Sequence, residues 1–286
     1  MNEAEARALL FSAVEGAHPF WSQEIFTHGA LTIYEKLLNG GYGDSKCEKL
    51  IAKLRSTSPD EVLTSIARAD ASFIYPGDLR WPSSLQDLAA PPIALIAKGN
   101  LPVLSQRSLA IVGTRNPTNY GARIAGDFAA GFVDRQWAVI SGGAYGIDSF
   151  AHKGALIAEG VTVAVIASGI DVNYPAGNNR LFAQICENGA IVSETMPGHP
   201  ALPARFLTRN RLIAAISQAT LVVEAAFRSG SLRTARDAAQ LLRPVMAIPG
   251  PINSPTSEGC HRLIGERVAE IVTSVADAVE FIGANR

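Results

Sequence analysis

The stretch Ala138-Val139-Ile140-Ser141-Gly142-Gly143-Ala144-Tyr145-Gly146-Ile147-Asp148 decides how the rest of the chain is read. A short apolar run leads straight into three glycines within five positions, and a helical pattern follows over 147–159. Strand, glycine-rich turn and helix in that order form the building unit of a β-α protein. The apolar run does not alternate, so the strand is buried on both faces, as in a parallel sheet.

The same unit recurs on either side. Apolar runs at 109–112, 161–167, 190–192, 221–223 and 245–248 alternate with helical stretches at 119–134, 177–187, 209–217, 231–241 and 274–282. This alternation predicts a Rossmann-like, doubly wound, mostly parallel α/β sheet, whose ligands bind beyond the carboxyl ends of the strands. Upstream, Leu9, Leu10, Ala13 and Val14, then Leu31, Tyr34, Leu37 and Leu38, have helical spacing. Ser58-Pro59-Asp60-Glu61 reads as a helix start. The expected organisation is a small helical domain over 1–70 and an extended Rossmann-like domain over 71–286. The boundary falls near 65–75, before a proline-bearing connector (71–100) with extended segments at 73–75 and 93–97.

Of 286 residues, 48% are apolar and 18% charged, which excludes a disordered, collagen-like or coiled-coil chain. Cys47, Cys186 and Cys260 lie too far apart for a disulfide framework or a zinc motif, and no metal is expected. No signal-peptide pattern and no run of 18 uncharged apolar residues occur, so a cytoplasmic protein without membrane contact is expected. The net charge of −1 argues against a nucleic-acid partner when the chain is taken whole. Its distribution argues the other way: residues 1–70 carry −3, whereas 201–250 hold seven Arg against Glu224 and Asp237. Arg outnumbers Lys by 19 to 6, which fits either codon bias or recognition of phosphate by a planar fork.

The strand-end loops hold the candidate site. Gly113, Thr114 and Arg115 suit an anion or form an ordinary turn. Ser141, Gly142, Gly143 and Gly146 let a backbone approach phosphate at a helix start, or pack a tight turn. This loop is not G-x-G-x-x-G, no acidic residue ends the following strand, and no P-loop occurs, which disfavours a nicotinamide dehydrogenase and a P-loop ATPase. Asp148 and His152, four residues apart, share a helical face and read as a hydrogen-bonded structural pair rather than as a catalytic one, the alternative. Tyr174 offers a stacking platform, and Asn178 and Asn179 contact a ligand or cap a helix. Arg209 and Arg211 flank Asn210 at the expected start of a helix, where positive charge is unfavourable unless an anion is bound. Ser229, Gly230 and Ser231 open another helix; Glu224 before it reads as an acid or base or as a partner of Arg209 or Arg211, and pairing is expected because a carboxylate near several Arg stays ionised. Ser257 to His261, after Pro249-Gly250-Pro251, reads as one more helix start, which fits an anion or a plain cap.

Six motifs in order, A-I-V-G-T-R, S-G-G-A-Y-G-I-D-S-F-A-H, D-V-N-Y-P-A-G-N-N-R-L-F, F-L-T-R-N-R-L-I-A-A-I-S, V-V-E-A-A-F-R-S-G-S-L-R-T-A and A-I-P-G-P-I-N-S-P-T-S-E-G-C-H-R-L-I, span about 110–264. Together they resemble the DNA-processing protein A (DprA, or Smf) family of bacteria. The resemblance implies a Rossmann-like domain that binds single-stranded DNA without a fixed sequence, protects incoming DNA and helps load the RecA recombinase during natural transformation. It further implies a homodimer, no cofactor and no known enzymatic reaction. Carried over residue by residue, it assigns phosphate contacts to Arg115, to the loop at 141–143, and to Arg209 and Arg211, with Asn178, Asn179, Ser229 and Ser231 as further contacts. Many members end in a winged-helix domain; this chain ends 22 residues after His261-Arg262-Leu263-Ile264, so that domain is expected to be absent. A nucleotide-binding sensor, or an enzyme like the cytokinin-activating phosphoribohydrolases, is the alternative on the same fold. Those hydrolases carry P-G-G-x-G-T-x-x-E, whereas here Glu224 is followed by Ala225-Ala226-Phe227.

Overall fold

The structure is a computed structural model that describes residues 1–285, the side chains of 44–46 excepted. The N-terminal region consists of α1 (Glu3–Ala13), α2 (Pro19–His28), α3 (Ala30–Leu38), α4 (Asp44–Ser56) and α5 (Pro59–Arg68). Local chemistry sets their ends. The Asn2 side chain accepts from the Glu5 N–H at 2.9 Å, and the Glu5 carboxylate accepts from the Asn2 N–H at 2.8 Å. Pro59 occupies the first turn of α5, whose Glu61 accepts from the Ser58 N–H at 3.3 Å.

The chain then forms β1 (Ser72–Ile74), β2 (Leu95–Gly99), β3 (Ser108–Val112), α6 (Asn119–Val133), β4 (Ala138–Ser141), α7 (Ile147–Ile157), β5 (Thr162–Ile166), α8 (Asn179–Asn188) and β6 (Ala190–Ser193). It continues with α9 (Pro203–Ile216), β7 (Ala219–Val222), α10 (Ser231–Gln240), β8 (Val245–Ala247), α11 (Glu258–Gly265), β9 (Glu270–Ile271) and α12 (Val275–Ala284). The nine strands make one sheet in the order β1-β2-β6-β5-β4-β3-β7-β8-β9. β1 and β2 pair antiparallel, as do β2 and β6; every other pairing is parallel. The expected mostly parallel, doubly wound sheet with an N-terminal helical region is therefore the observed fold.

Alternate strand residues fill opposite faces. Ala110 and Val112 join the core beneath α9, α10 and α11, while Leu109 and Ile111 join the one beneath α6, α7 and α12. From β3 the chain winds outward through β4, β5 and β6, then returns to pair β7 with the other side of β3. The winding reverses between β3 and β7, and the loops diverging there leave a crevice. At the far end of the sheet, Leu9, Leu10 and Ile33 of the helical region share one core with Ile96, Ile166, Phe182 and Ile185.

Two elements depart from expectation. α9 begins at Pro203, not at residue 209, so Arg209 and Arg211 lie well inside the helix and away from its positive end. β9 is a two-residue exposed strand that the expected series of strands does not include.

Candidate nucleic-acid interface

The crevice at the β3/β7 reversal is a cleft of about 750 Å³. The loop after β3 contributes Gly113, Thr114 and Arg115 to one wall. The loop after β7 contributes Arg228, Ser229, Gly230 and Ser231 to the opposite wall, and Phe206, Arg209 and Asn210 reach in from α9. Tyr174, Ala144 and Asp148 close the end toward β4 and β5. The walls hold together through the backbone: the Thr114 N–H donates to the Glu224 carbonyl at 2.6 Å, and the Ile147 N–H donates to the Thr114 carbonyl at 3.1 Å.

Phe206 lies between two cations. The Arg115 guanidinium carbon is 5.0 Å from its ring centre and that of Arg209 is 6.0 Å away. Tyr174, about half exposed, meets the same ring edge-on at 5.5 Å. Guanidinium groups over an aromatic ring present one positive, flat and partly apolar surface, which suits a nucleotide with its base and its phosphate. The sequence motif holds Phe206 without a role; an aromatic flanked in the chain by Arg205 and Arg209 is the signal it offers.

Arg209 is nearly fully buried. It donates to the Val165 carbonyl and has no partner for Nε. Burial pulls its pKa down to about 10, with Asp148 opposing and Arg115 adding to the shift. Arg209 lines the cleft, and its positive charge there favours an anion. Burial pushes Asp148 above the usual carboxylate range, against Arg209 and the N–H groups of Ala144 and Gly142.

The glycine-rich loop does something other than leave open space. A side chain at Gly142 would collide with Arg209 and Asp148, one at Gly143 with the Phe182 ring, and one at Gly146 with the Thr114-Arg115 backbone. These glycines let loops and side chains pack closely. The N–H groups expected to meet phosphate are answered by the chain's own Asp148, which accepts from Ala144 at 3.3 Å. Ser141, buried, donates to the Ile111 carbonyl at 2.6 Å. Ala144 is the loop residue that reaches the cleft.

Other expected contacts lie elsewhere. Arg211 faces away and forms a buried ion pair with Glu194, its Nη2 donating to both carboxylate oxygens at 2.7 and 2.6 Å. Asn178 is buried and donates to the Gly143 carbonyl and to Ser149 Oγ, both at 2.9 Å, while Asn179 is exposed at the start of α8. Asp148 and His152 do not pair: His152 Nδ1 bonds Thr162 Oγ1 at 2.7 Å. Glu224 pairs with neither Arg209 nor Arg211; its carboxylate accepts from Thr118 and Thr256. Among the described residues no group of His, Cys, Asp and Glu is arranged to hold a metal, and no helix is long and apolar enough to cross a membrane.

Residues 72–283 match the family model of DNA recombination-mediator protein A. The chain belongs to that family. Over 268 residues it is 41% identical to a putative DNA processing protein DprA of Mycobacterium tuberculosis, spanning 89% of this chain and 69% of that one. The X-ray structure of DprA from Streptococcus pneumoniae superposes with a TM-score of 0.85 at 32% identity, covering 98% of each chain. DNA processing protein A from Helicobacter pylori, whose structure concerns its single-stranded DNA binding mode, gives a TM-score of 0.67 at 28% identity over 76% of this chain and 96% of that one. Members of the DNA recombination-mediator protein A family are DNA-binding recombination mediators.

Proposed function

We propose that the cleft between the β3 and β7 loops binds single-stranded DNA, and that the chain hands the bound strand to the RecA recombinase in the cytoplasm while acting as a homodimer. The observation that carries the DNA reading is the Arg115–Phe206–Arg209 stack with Tyr174 at its edge. Arg115, Arg209 and Arg228 take the phosphates, and Phe206 and Tyr174 take a base. Thr114, Asn210, Ser229 and Ser231 supply hydrogen-bonding groups that any nucleotide can use, so the reading carries no sequence preference. The Helicobacter relative's single-stranded DNA binding supports the ligand class, and the family supports delivery to a recombinase.

The test is fluorescence anisotropy with a labelled dT oligonucleotide, a duplex of equal length and a nucleoside monophosphate, each across a salt series. Tight binding of the oligonucleotide alone, weakening linearly in log[salt], is expected. Equal affinity for the mononucleotide would instead mark a nucleotide sensor. The delivery step is read as faster RecA filament formation on strands coated by a single-strand-binding protein, and the dimer by sedimentation velocity.

A further inference from the structure

Glu224 is a buried carboxylate at the carboxyl end of β7, beside a cleft read here as a phosphate site. Simple electrostatics makes it unfavourable there, because it repels the ligand that Arg115 and Arg209 attract. Its bonds give another account. One oxygen accepts from the Thr118 N–H at 2.9 Å; the other accepts from the Thr118 hydroxyl at 2.7 Å and the Thr256 hydroxyl at 3.2 Å. Thr118 caps α6 by accepting from the Gly121 N–H at 3.1 Å, and a side chain at Gly121 would collide with the Glu224 carboxylate. The Glu224 carbonyl, in turn, holds the Thr114 N–H.

Thr114 and Thr118 bracket the loop that carries Arg115. That loop is thus pinned at both ends by one residue: at Thr114 by its carbonyl, and at Thr118 by its carboxylate. Thr256 ties in the loop after β8, and Tyr120, on the first turn of α6, donates to the Pro249 carbonyl of that loop at 3.1 Å. Three strand-end loops converge on one carboxylate. Arg115 itself forms no ion pair among the described residues that would fix its loop from outside.

We propose that Glu224 is a positioning residue for DNA binding, holding the 113–118 loop so that Arg115 meets Phe206 and the strand. This rests on the cleft being the DNA site. It reverses the electrostatic expectation: removing the charge weakens binding.

The experiment uses the full chain and two readouts. Hydrogen exchange of the free protein follows the Thr114 and Thr118 amides, and anisotropy follows affinity for a dT oligonucleotide. Glu224→Gln keeps the shape and leaves a single acceptor oxygen. It is expected to speed exchange at these amides and weaken dT binding about tenfold, the scale of one charge-assisted hydrogen bond. In an Arg115→Ala background the same change costs less than about twofold, because the group being positioned is gone. Thr118→Val is expected to reproduce the loss and Thr118→Ser to restore binding, which keeps the test open if Glu224→Gln folds poorly. Unchanged exchange, stronger dT binding, or a loss that persists without Arg115 would overturn the proposal. A loop that loosens while dT affinity stays intact would overturn the cleft as the DNA site and leave Glu224 as the loop's anchor.

Discussion

Arg209 and Arg211 stand two positions apart on α9, and a helix turns about 100° per residue, so they point to nearly opposite sides. Arg209 enters the cleft and Arg211 enters a buried pair with Glu194. Side by side in the sequence they read as one fork, because at a helix start both reach the same end. The misplaced start removed the information that separates them. His152 is a second case of one residue type with two readings. Its helical spacing from Asp148 was legible, but its partner, Thr162, comes from β5, and long-range pairing leaves no local trace. Burial pushes the His152 pKa down to about 3, with Arg209 adding to the shift, so the folded state holds it neutral. The folded value lies below the unfolded one, near 6.5. Its contribution is therefore present above about pH 6.5 and lost as pH falls toward 3. Between those limits it removes about 1.4 kcal/mol of stability per pH unit. In chemical denaturation from pH 7 to 4, His152→Asn is expected to flatten the pH dependence by that slope. An unchanged slope would contradict a buried neutral imidazole.

At the scale of elements, the parallel strands were legible because burial on both faces writes a continuous apolar run, as in Leu109 to Val112. The glycine turns after them located the strand ends. The order of the sheet was not legible: β2 pairs with β6, residues nearly a hundred positions away, through side chains that an edge or a centre would accept equally. α9 shows why a start can be missed. Pro203 opens it, but its first two turns, through Leu207 and Thr208, carry no regular apolar face, since one side meets the cleft and another meets the helical region. Arg205 pairs with Glu15 at 2.8 Å and holds that carboxyl below the usual carboxylate range. Arg211 binds Glu194, which the Ala17 backbone also reaches and which burial pushes upward. Breaking the Glu194–Arg211 pair strands a buried charge. Arg211→Ala is expected to cost about 3–5 kcal/mol in denaturant unfolding, and Glu194→Leu with Arg211→Met together to recover most of it. If Arg211→Ala left stability untouched and abolished DNA binding instead, Arg211 would be a phosphate contact after all.

Across the whole molecule, the helical region and the sheet share a core, so residues 1–70 act as more than an appended module. Ile33, Leu9 and Leu10 belong to the same buried cluster as Ile96, Ile166 and Ile185. A chain starting at residue 71 is expected to unfold at lower temperature and to self-associate in sedimentation velocity, through apolar surface left bare. A truncated chain as stable and monodisperse as the parent would show that the two parts are independent. The near-zero net charge likewise resolves only at this scale. The sum conceals the Arg-rich 201–250 segment behind acidic residues elsewhere, among them those of the N-terminal quarter, while the fold gathers Arg115, Arg209 and Arg228 at one crevice. The most direct measurement is photocrosslinking of a dT oligonucleotide carrying 4-thiothymidine, with adducts mapped by mass spectrometry. The cleft predicts crosslinks at Phe206, Tyr174 and the 113–118 loop, lost in Phe206→Ala or at high salt. Adducts confined to surfaces away from the β3 and β7 loops would contradict it.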